Sequence, residues 1–260
     1  MSPRPAAERH DQTARKFLSA AATLIDAYLD AGPSEDRPAR LRAIRFPAAL
    51  EWLRTEDVIR IAAADAGPGA SRKAFYNRWS TRDEFLPDAL VYALVYDELE
   101  DPPNDRARQV PRADADPAGF AEEIIRIADG LLDSLQHHPR SYLTLHIGPL
   151  LSQHPALHEA ILPAMKNGIA SWAEAYAVLL SRHGVALRPG WDSARLALAL
   201  QAMLDGFLLR YRLQPDDYPT SRWEGAGIFA DAVLAVLAGV IDHDRTGRDA
   251  RQLLNALITS

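Results

Sequence analysis

Along almost the whole of this chain apolar residues return every three or four positions, and no stretch sustains the every-second-residue alternation of a half-buried strand. That periodicity predicts an all-α protein. The first helix is read from "TARKFLSAAATLIDAYLDAG", where Phe17, Leu18, Ala21, Ala22, Ile25 and Leu29 share one stripe and Gly32 and Pro33 supply the stop. A second runs from Thr55 through "EDVIRIAAADA" to Gly67, and a short third, "RKAFYNRW", starts behind Ser71, a good N-cap. Thr81-Arg82-Asp83-Glu84 fits a capping box for the next helix, inside which Pro87 should introduce a kink. Beyond it, helices are predicted over 117–137, 139–153, 155–183, 190–213, 221–243 and 248–258, with Pro139, Pro155 and "QPDDYPT" at the joints.

Two segments interrupt this scheme. Residues 33–54 carry three prolines, Arg37, Arg40, Arg42 and Arg45, and a patchy apolar pattern, which reads as a long connector holding a short helical piece. Residues 102–116 read as a loop, and the functional boundary is placed earlier, near residue 90. This gives an N-terminal part, 1–90, with 33–54 as an insertion, and a C-terminal part, 91–260.

The formal charge of −6 is unevenly spread. Residues 1–82 hold 14 Lys and Arg against 10 Asp and Glu, while the other 178 residues hold 15 against 25. An N-terminal part that can approach a polyanion is thus joined to one that would avoid it. No apolar run reaches the roughly 20 residues of a membrane span, "MSPRPAAERHDQTARK" lacks the apolar core of a signal peptide, and there are no cysteines. A cytoplasmic protein without a membrane partner is the expectation.

The basic residues gather in "ASRKAFYNRWSTRDEFL", directly after a Gly-Pro-Gly turn. Helix, tight turn, helix is the plan that sets one short helix into the major groove while its partner crosses the backbone. Phe75 and Trp79, four apart, can bury together, which leaves Arg72, Lys73, Tyr76 and Asn77 on the outer side. Arg suits guanine, Asn suits adenine, and Lys and Tyr bind phosphate. A solvated basic helix end in a bundle has the same composition.

The order Ala66-Gly67, Ser71, Phe75-Tyr76, Trp79, Thr81-Arg82-Asp83-Glu84-Phe85-Leu86 resembles the recognition segment of the tetracycline-repressor (TetR) family of regulators. "RKFLSAAATLIDAYLDAG" and "TEDVIRIAAADAG" are similar to that family's first two helices, and "LSQHPALHEAI" and "ARLALALQAMLDGFLLRYRLQPDD" resemble its middle and dimer-forming helices. The resemblance implies a three-helix helix-turn-helix DNA-binding domain followed by a helical bundle that binds a ligand and dimerises. It implies DNA contacts at Thr55, Ser71, Arg72, Lys73, Tyr76, Asn77, Arg78 and Arg82. Three features depart from the family: a turn longer by two residues between Gly67 and Ser71, the long connector, and Pro87.

In the C-terminal part, "WDSARLALALQAMLDGFLLRY" and "GAGIFADAVLAVLAGVI" are apolar around more of their circumference than a monomer surface needs, which fits a four-helix interface across a two-fold axis. Phe120, Tyr142, His146, Trp172, Tyr176, Met203, Phe207 and Tyr211 are the candidates to line a largely apolar small-molecule pocket. His154 and His158 stand four apart, but Pro155 makes His154 a helix cap and no carboxylate completes a set, so no metal or cofactor is expected.

The partners expected are therefore double-stranded operator DNA, a second copy of the chain and a small apolar ligand. The expected function is that of a ligand-released repressor. A helical ligand- or protein-binding protein of the same fold without operator binding is the alternative. An enzyme is not expected, because no Gly-rich phosphate loop or nucleophile motif occurs.

Overall fold

The structure, a computed structural model, describes residues 12–29, 38–42, 52–66, 69–95, 107, 110, 119–148, 151, 155–216, 222–223 and 225–259. Most of the connector 33–54, together with Gly67, Pro68 and His154, lies outside the described residues. The chain divides into two compact units: one comprises 1–100 and 139–165, the other 101–138 and 166–260. The segment 139–165 therefore belongs with the N-terminal helices, a return of the chain that a single cut near residue 90 leaves out.

In the first unit, helices α1 (Gln12–Leu29), α3 (Thr55–Ala66), α4 (Arg72–Arg78) and α5 (Arg82–Val95) surround a common core, with a single helical turn α2 (Ala39–Arg42) before α3. The predicted stripe of α1 is the buried one: Phe17, Leu18, Ala21, Ala22 and Ile25 have almost no exposed surface. α1 packs against α3, α4 and α5. A 3₁₀ turn, Pro139–Tyr142, continuing into α6 (Leu143–Ile147), also packs on α1. Arg140, buried, fixes that packing by donating from Nε to Asp26 Oδ1 at 2.8 Å and from Nη2 to Oδ2 at 3.3 Å. A fork-to-carboxylate pair of this kind specifies angle as well as distance.

The boundaries of α5 follow from its cap. Thr81 Oγ1 accepts the Glu84 N–H at 3.2 Å, while Glu84 Oε2 accepts the N–H of Ser80, not of Thr81, at 2.8 Å. The box is thus closed one residue earlier than its usual form. The helix continues through Pro87 to Val95, and the proline ring lies only six positions in, so the missing N–H frees a carbonyl in the exposed first turn.

In the second unit, α7 (Phe120–Gln136) packs against α9 (Ser193–Leu213) and α10 (Ile228–Val240). Residues 166–182 of the long helix α8 (Pro155–Arg182) and a terminal helix α11 (Ala250–Thr259) belong to the same unit. The predicted helix 221–243 begins only at Ile228. Ahead of it, β1 (Arg222–Trp223) pairs antiparallel with β2 (Ala226–Gly227), because Gly225 takes a φ of +91° and turns the chain. Gly227 then donates its N–H to both oxygens of Asp129 on α7, at 3.2 and 3.1 Å. A Cβ there would stand 2.6 Å from Asp129 Oδ1, so any other residue would force the carboxylate to move.

Arg188, completely buried, secures the chain after α10. Its N–H donates to the Val240 carbonyl at 2.8 Å, and Asp242 returns a bond to Ala186 at 2.9 Å. Nη1 reaches Asp242 Oδ1 and Asp244 Oδ1, both at 3.2 Å. Burial acts to raise the Asp244 carboxyl, but hydrogen bonds involving Thr246 and Asp242 and the Arg188 charge outweigh it and hold it at about 2. A depressed carboxyl contributes stability above its unfolded value of about 4 that is lost as pH falls towards 2. We expect Arg188→Met to lower the unfolding free energy at pH 7 by about 3 kcal/mol, as breaking a buried pair does. Urea unfolding of both proteins should show the gap narrowing between about pH 4 and 2; equal stability at pH 7 would mean the guanidinium does not hold this segment.

Candidate functional site

Helix α4 has seven residues, too few to persist alone. Ser71 starts it by accepting the Ala74 N–H on Oγ at 3.2 Å, and Trp79 ends it with its own N–H on the Phe75 carbonyl at 2.9 Å. Between these caps one face is fixed by aromatic packing. The Phe75 ring lies 5.2 Å from Phe17 and 5.0 Å from Phe85, and Trp79 lies 4.9 Å from Phe85. The indole N–H of Trp79 donates to Asp88 Oδ2 at 3.0 Å, which satisfies the only polar atom the ring brings inside.

Burying that face determines the other. Arg72, Lys73, Tyr76 and Asn77 are exposed together, with Arg78 partly so. Arg72 extends over the Tyr76 ring, its guanidinium carbon 5.6 Å from the centroid, so a cation lies on an aromatic face at the rim of the helix. This is the outward set read from the sequence. Two other candidates are placed differently. Thr55 is 7% exposed, and its hydroxyl donates to Glu56 Oε2 at 3.3 Å as α3 begins. Arg82 is half-buried and donates from Nε to the Leu53 carbonyl at 3.1 Å, tying the start of α5 to the segment just ahead of α3. Neither residue belongs to the exposed face of α4.

The second unit contains an apolar cavity enclosed by α7, α8, α9 and α10, with about 620 Å³ free of atoms, open solvent at its mouth included. Of the residues proposed from the sequence, Phe120, Trp172 and Tyr176 line it. Trp172 and Tyr176 lie ring against ring at 5.5 Å, and burial pushes the Tyr176 hydroxyl far above the usual phenol range. Met203, Phe207 and Tyr211 occupy a flank of α9 outside the lining; Phe207 packs edge-on to Phe229 at 5.2 Å, and it is Phe229 that reaches the cavity. Tyr142 and His146 belong to the first unit, where the His146 ring lies 6.4 Å from Trp52 and burial holds its pKa below the ordinary imidazole value.

Two features of this unit escaped the sequence reading. Gln201 lines the cavity and donates from Nε2 to Asp205 Oδ1 at 2.8 Å. Their signal was present, as the two polar residues four apart in the apolar run "LALALQAMLDGF". The other is Glu123, fully buried beside the lining residue Ile124. Arg182 donates to its Oε1 at 2.9 Å and His183 Nε2 meets its Oε2 at 2.8 Å. Phe120 packs on His183 at 5.1 Å, so this charged cluster closes one end of the apolar space. Among the described residues no three His, Asp or Glu side chains gather as a metal set, and no helix is long and apolar enough to cross a membrane.

The arrangement is an all-α fold in which a helix-turn-helix unit accompanies a helical bundle with an apolar cavity. It is shared with a crystal structure from Mesorhizobium loti MAFF303099 of a protein assigned to the TetR family of transcriptional regulators. The superposition has a TM-score of 0.56 at 18% identity and covers 89% of this chain and 99% of that one. No protein-family model matches the sequence. In sequence, the chain is 31% identical over 144 residues to the anthranilate phosphoribosyltransferases of two strains of Acidithiobacillus ferrooxidans. That match takes in 49% of this chain and 43% of theirs, so the chain spans less than half the length of the curated relatives it matches.

Removing Arg182 should expose the dependence of the cavity end on its ion pair. We expect Arg182→Met to cost about 3–5 kcal/mol at pH 7, because the Glu123 carboxylate keeps its burial and loses its principal partner. Chemical denaturation measures this directly; a change below about 1 kcal/mol would mean that His183 alone satisfies the carboxylate.

Proposed function

We propose that this protein is a DNA-binding transcriptional regulator, acting in the cytoplasm as a homodimeric repressor that a small molecule releases from its operator. The observation that carries the reading is the exposed set Arg72, Lys73, Tyr76 and Asn77 on a helix whose other face is fixed by Phe75 and Trp79. A helix held rigidly from below, with a guanidinium, an ammonium, a phenol and an amide above, has the donors and acceptors that major-groove edges and phosphates require. The fold shared with a TetR-family regulator supports it.

The dimer rests on α9 and α10. Leu198, Ala202, Gly206, Leu209 and Leu213 form an exposed stripe on α9, with Leu198 and Leu213 61% and 62% accessible. Ile228, Ala235 and Ala238 are exposed on α10. Small residues between leucines let two such pairs approach closely across a two-fold axis. A ligand acts by binding better to the conformation that fits DNA worse, and a coupling of about 1–3 kcal/mol gives a 5- to 150-fold loss of operator affinity. No cofactor is required. The partial likeness to phosphoribosyltransferases favours an enzyme only weakly, since a phosphoribosyl donor calls for a phosphate cradle that the sequence does not supply.

Selection of the purified protein on a random duplex pool tests the reading. We expect an inverted repeat with half-sites centred about 10 bp, or a multiple of it, apart. Lys73→Ala and Tyr76→Ala should each weaken binding to it at least about tenfold while leaving thermal unfolding almost unchanged, because both side chains are exposed. A folded protein that enriches nothing would overturn the reading. Light scattering should give twice the 28.7 kDa of one chain, and Leu198→Glu with Leu213→Glu should give monomers; an unchanged mass in the double variant would remove this face from the interface.

A further inference from the structure

The cavity between α7, α8, α9 and α10 has an uneven chemistry. No residue that lines it is charged, and the polar groups its lining side chains carry are the Gln201 amide, the Tyr176 hydroxyl and the Trp172 indole N–H. Several charged residues that stand next to lining residues in the chain are already engaged, Asp129 with the Gly227 N–H and Arg195 with the Gly190 carbonyl among them. Glu123 has one oxygen on Arg182 and the other on His183, and Asp205 takes the amide N–H of Gln201. An ion entering this space would lose its hydration and find no counter-charge among the lining residues.

Gln201 carries the second half of the argument. A carboxylate only accepts hydrogen bonds, so the side chain of Gln201 turns its NH₂ towards Asp205 at 2.8 Å and its carbonyl oxygen the other way. Hydrogen bonding thereby fixes the orientation of the amide and leaves its carbonyl oxygen, an acceptor, on the side away from Asp205. Burial raises the Asp205 carboxyl above the usual carboxylate range, and the bond from Gln201 offsets that only in part.

From this geometry we infer that the cavity selects an uncharged, largely apolar molecule carrying a hydroxyl or N–H group that donates to Gln201 Oε1, with Asp205 as the positioning residue that orients the amide. The aromatic surfaces of Trp172 and Phe229 and the aliphatic walls of α7 and α9 supply the contact area. The inference names the ligand class for the regulator proposed above and rests on that reading only for its biological meaning.

Calorimetric titration of the full chain with three probes of one shape tests it: 2-naphthol, its methyl ether, and 2-naphthoate. We expect the naphthol to bind at least about tenfold more tightly than the ether, which has no donor, and than the naphthoate, which is an anion at pH 7. In Gln201→Leu the preference for naphthol over ether should disappear while the ether still binds. Because the ordering is read first on the unaltered protein, a misfolded variant would not hide the result. Equal affinity for naphthol and ether, tighter binding of naphthoate, or no binding of any probe to the folded protein would each overturn the inference. Duplex selection is independent of these titrations. An enriched repeat without naphthol preference would remove the ligand class alone, whereas naphthol preference without an enriched repeat would remove the regulator and keep the site.

Discussion

The face proposed to meet DNA depends on an aromatic contact beneath it. Helix α4 is a single pair of turns that water would melt, and it is held by Phe75 and Trp79 set against Phe17 of α1 and Phe85 of α5. Three helices thereby meet at one cluster, with the one indole N–H satisfied by Asp88. Rings of this size carry several kcal/mol of burial each and leave little rotational freedom. The angle at which Arg72, Lys73, Tyr76 and Asn77 are presented is a consequence of that packing, and a recognition surface is useful only if it is presented rigidly.

The second unit follows another logic. Its cavity is kept apolar by satisfying charge elsewhere: Glu123 within its cluster with Arg182 and His183, Arg188 within the loop after α10. Buried charges of this kind add little net stability, but each unpaired member is expensive, so they fix the geometry of the elements that carry them. The result is a space whose lining offers a guest the Gln201 amide, the Tyr176 hydroxyl and the Trp172 indole N–H as its polar groups. An internal site of this type can distinguish guests by a single hydrogen bond, since a donor left unmatched there cannot turn to water.

The fold was largely legible in the sequence because helix ends have local causes. Ser71, Thr81 and Pro155 were readable as starts, and the stripe of α1 is the buried stripe. The outward face of α4 was legible for the same reason: once Phe75 and Trp79 point inward, a seven-residue helix has one other side. What stayed hidden depends on contacts distant in sequence. Tyr142 and His146 could not be assigned to the first unit without the Arg140–Asp26 pair, which joins residues 114 apart. Met203, Phe207 and Tyr211 look as suited to a pocket as Trp172 does, because composition does not reveal which flank of α9 faces α7. Thr55 and Arg82 were assigned to DNA by position in a motif, which does not reveal that Thr55 bonds to the Glu56 side chain or that Arg82 reaches the Leu53 carbonyl. The β-ribbon ahead of α10 was missed because two glycines in an apolar run look like a weak helix start rather than a turn.

The central claim is that the exposed basic face of α4 is a DNA surface, and the salt dependence of duplex binding tests it most directly. Each cation in contact with a phosphate contributes about 0.9 to the slope of log affinity against log salt concentration. The account predicts a steep slope for the unaltered chain, reduced by about 2 when Arg72 and Lys73 are both replaced by Gln. An unchanged slope in a folded double variant would mean that DNA, if it binds at all, binds elsewhere, and it would contradict the account.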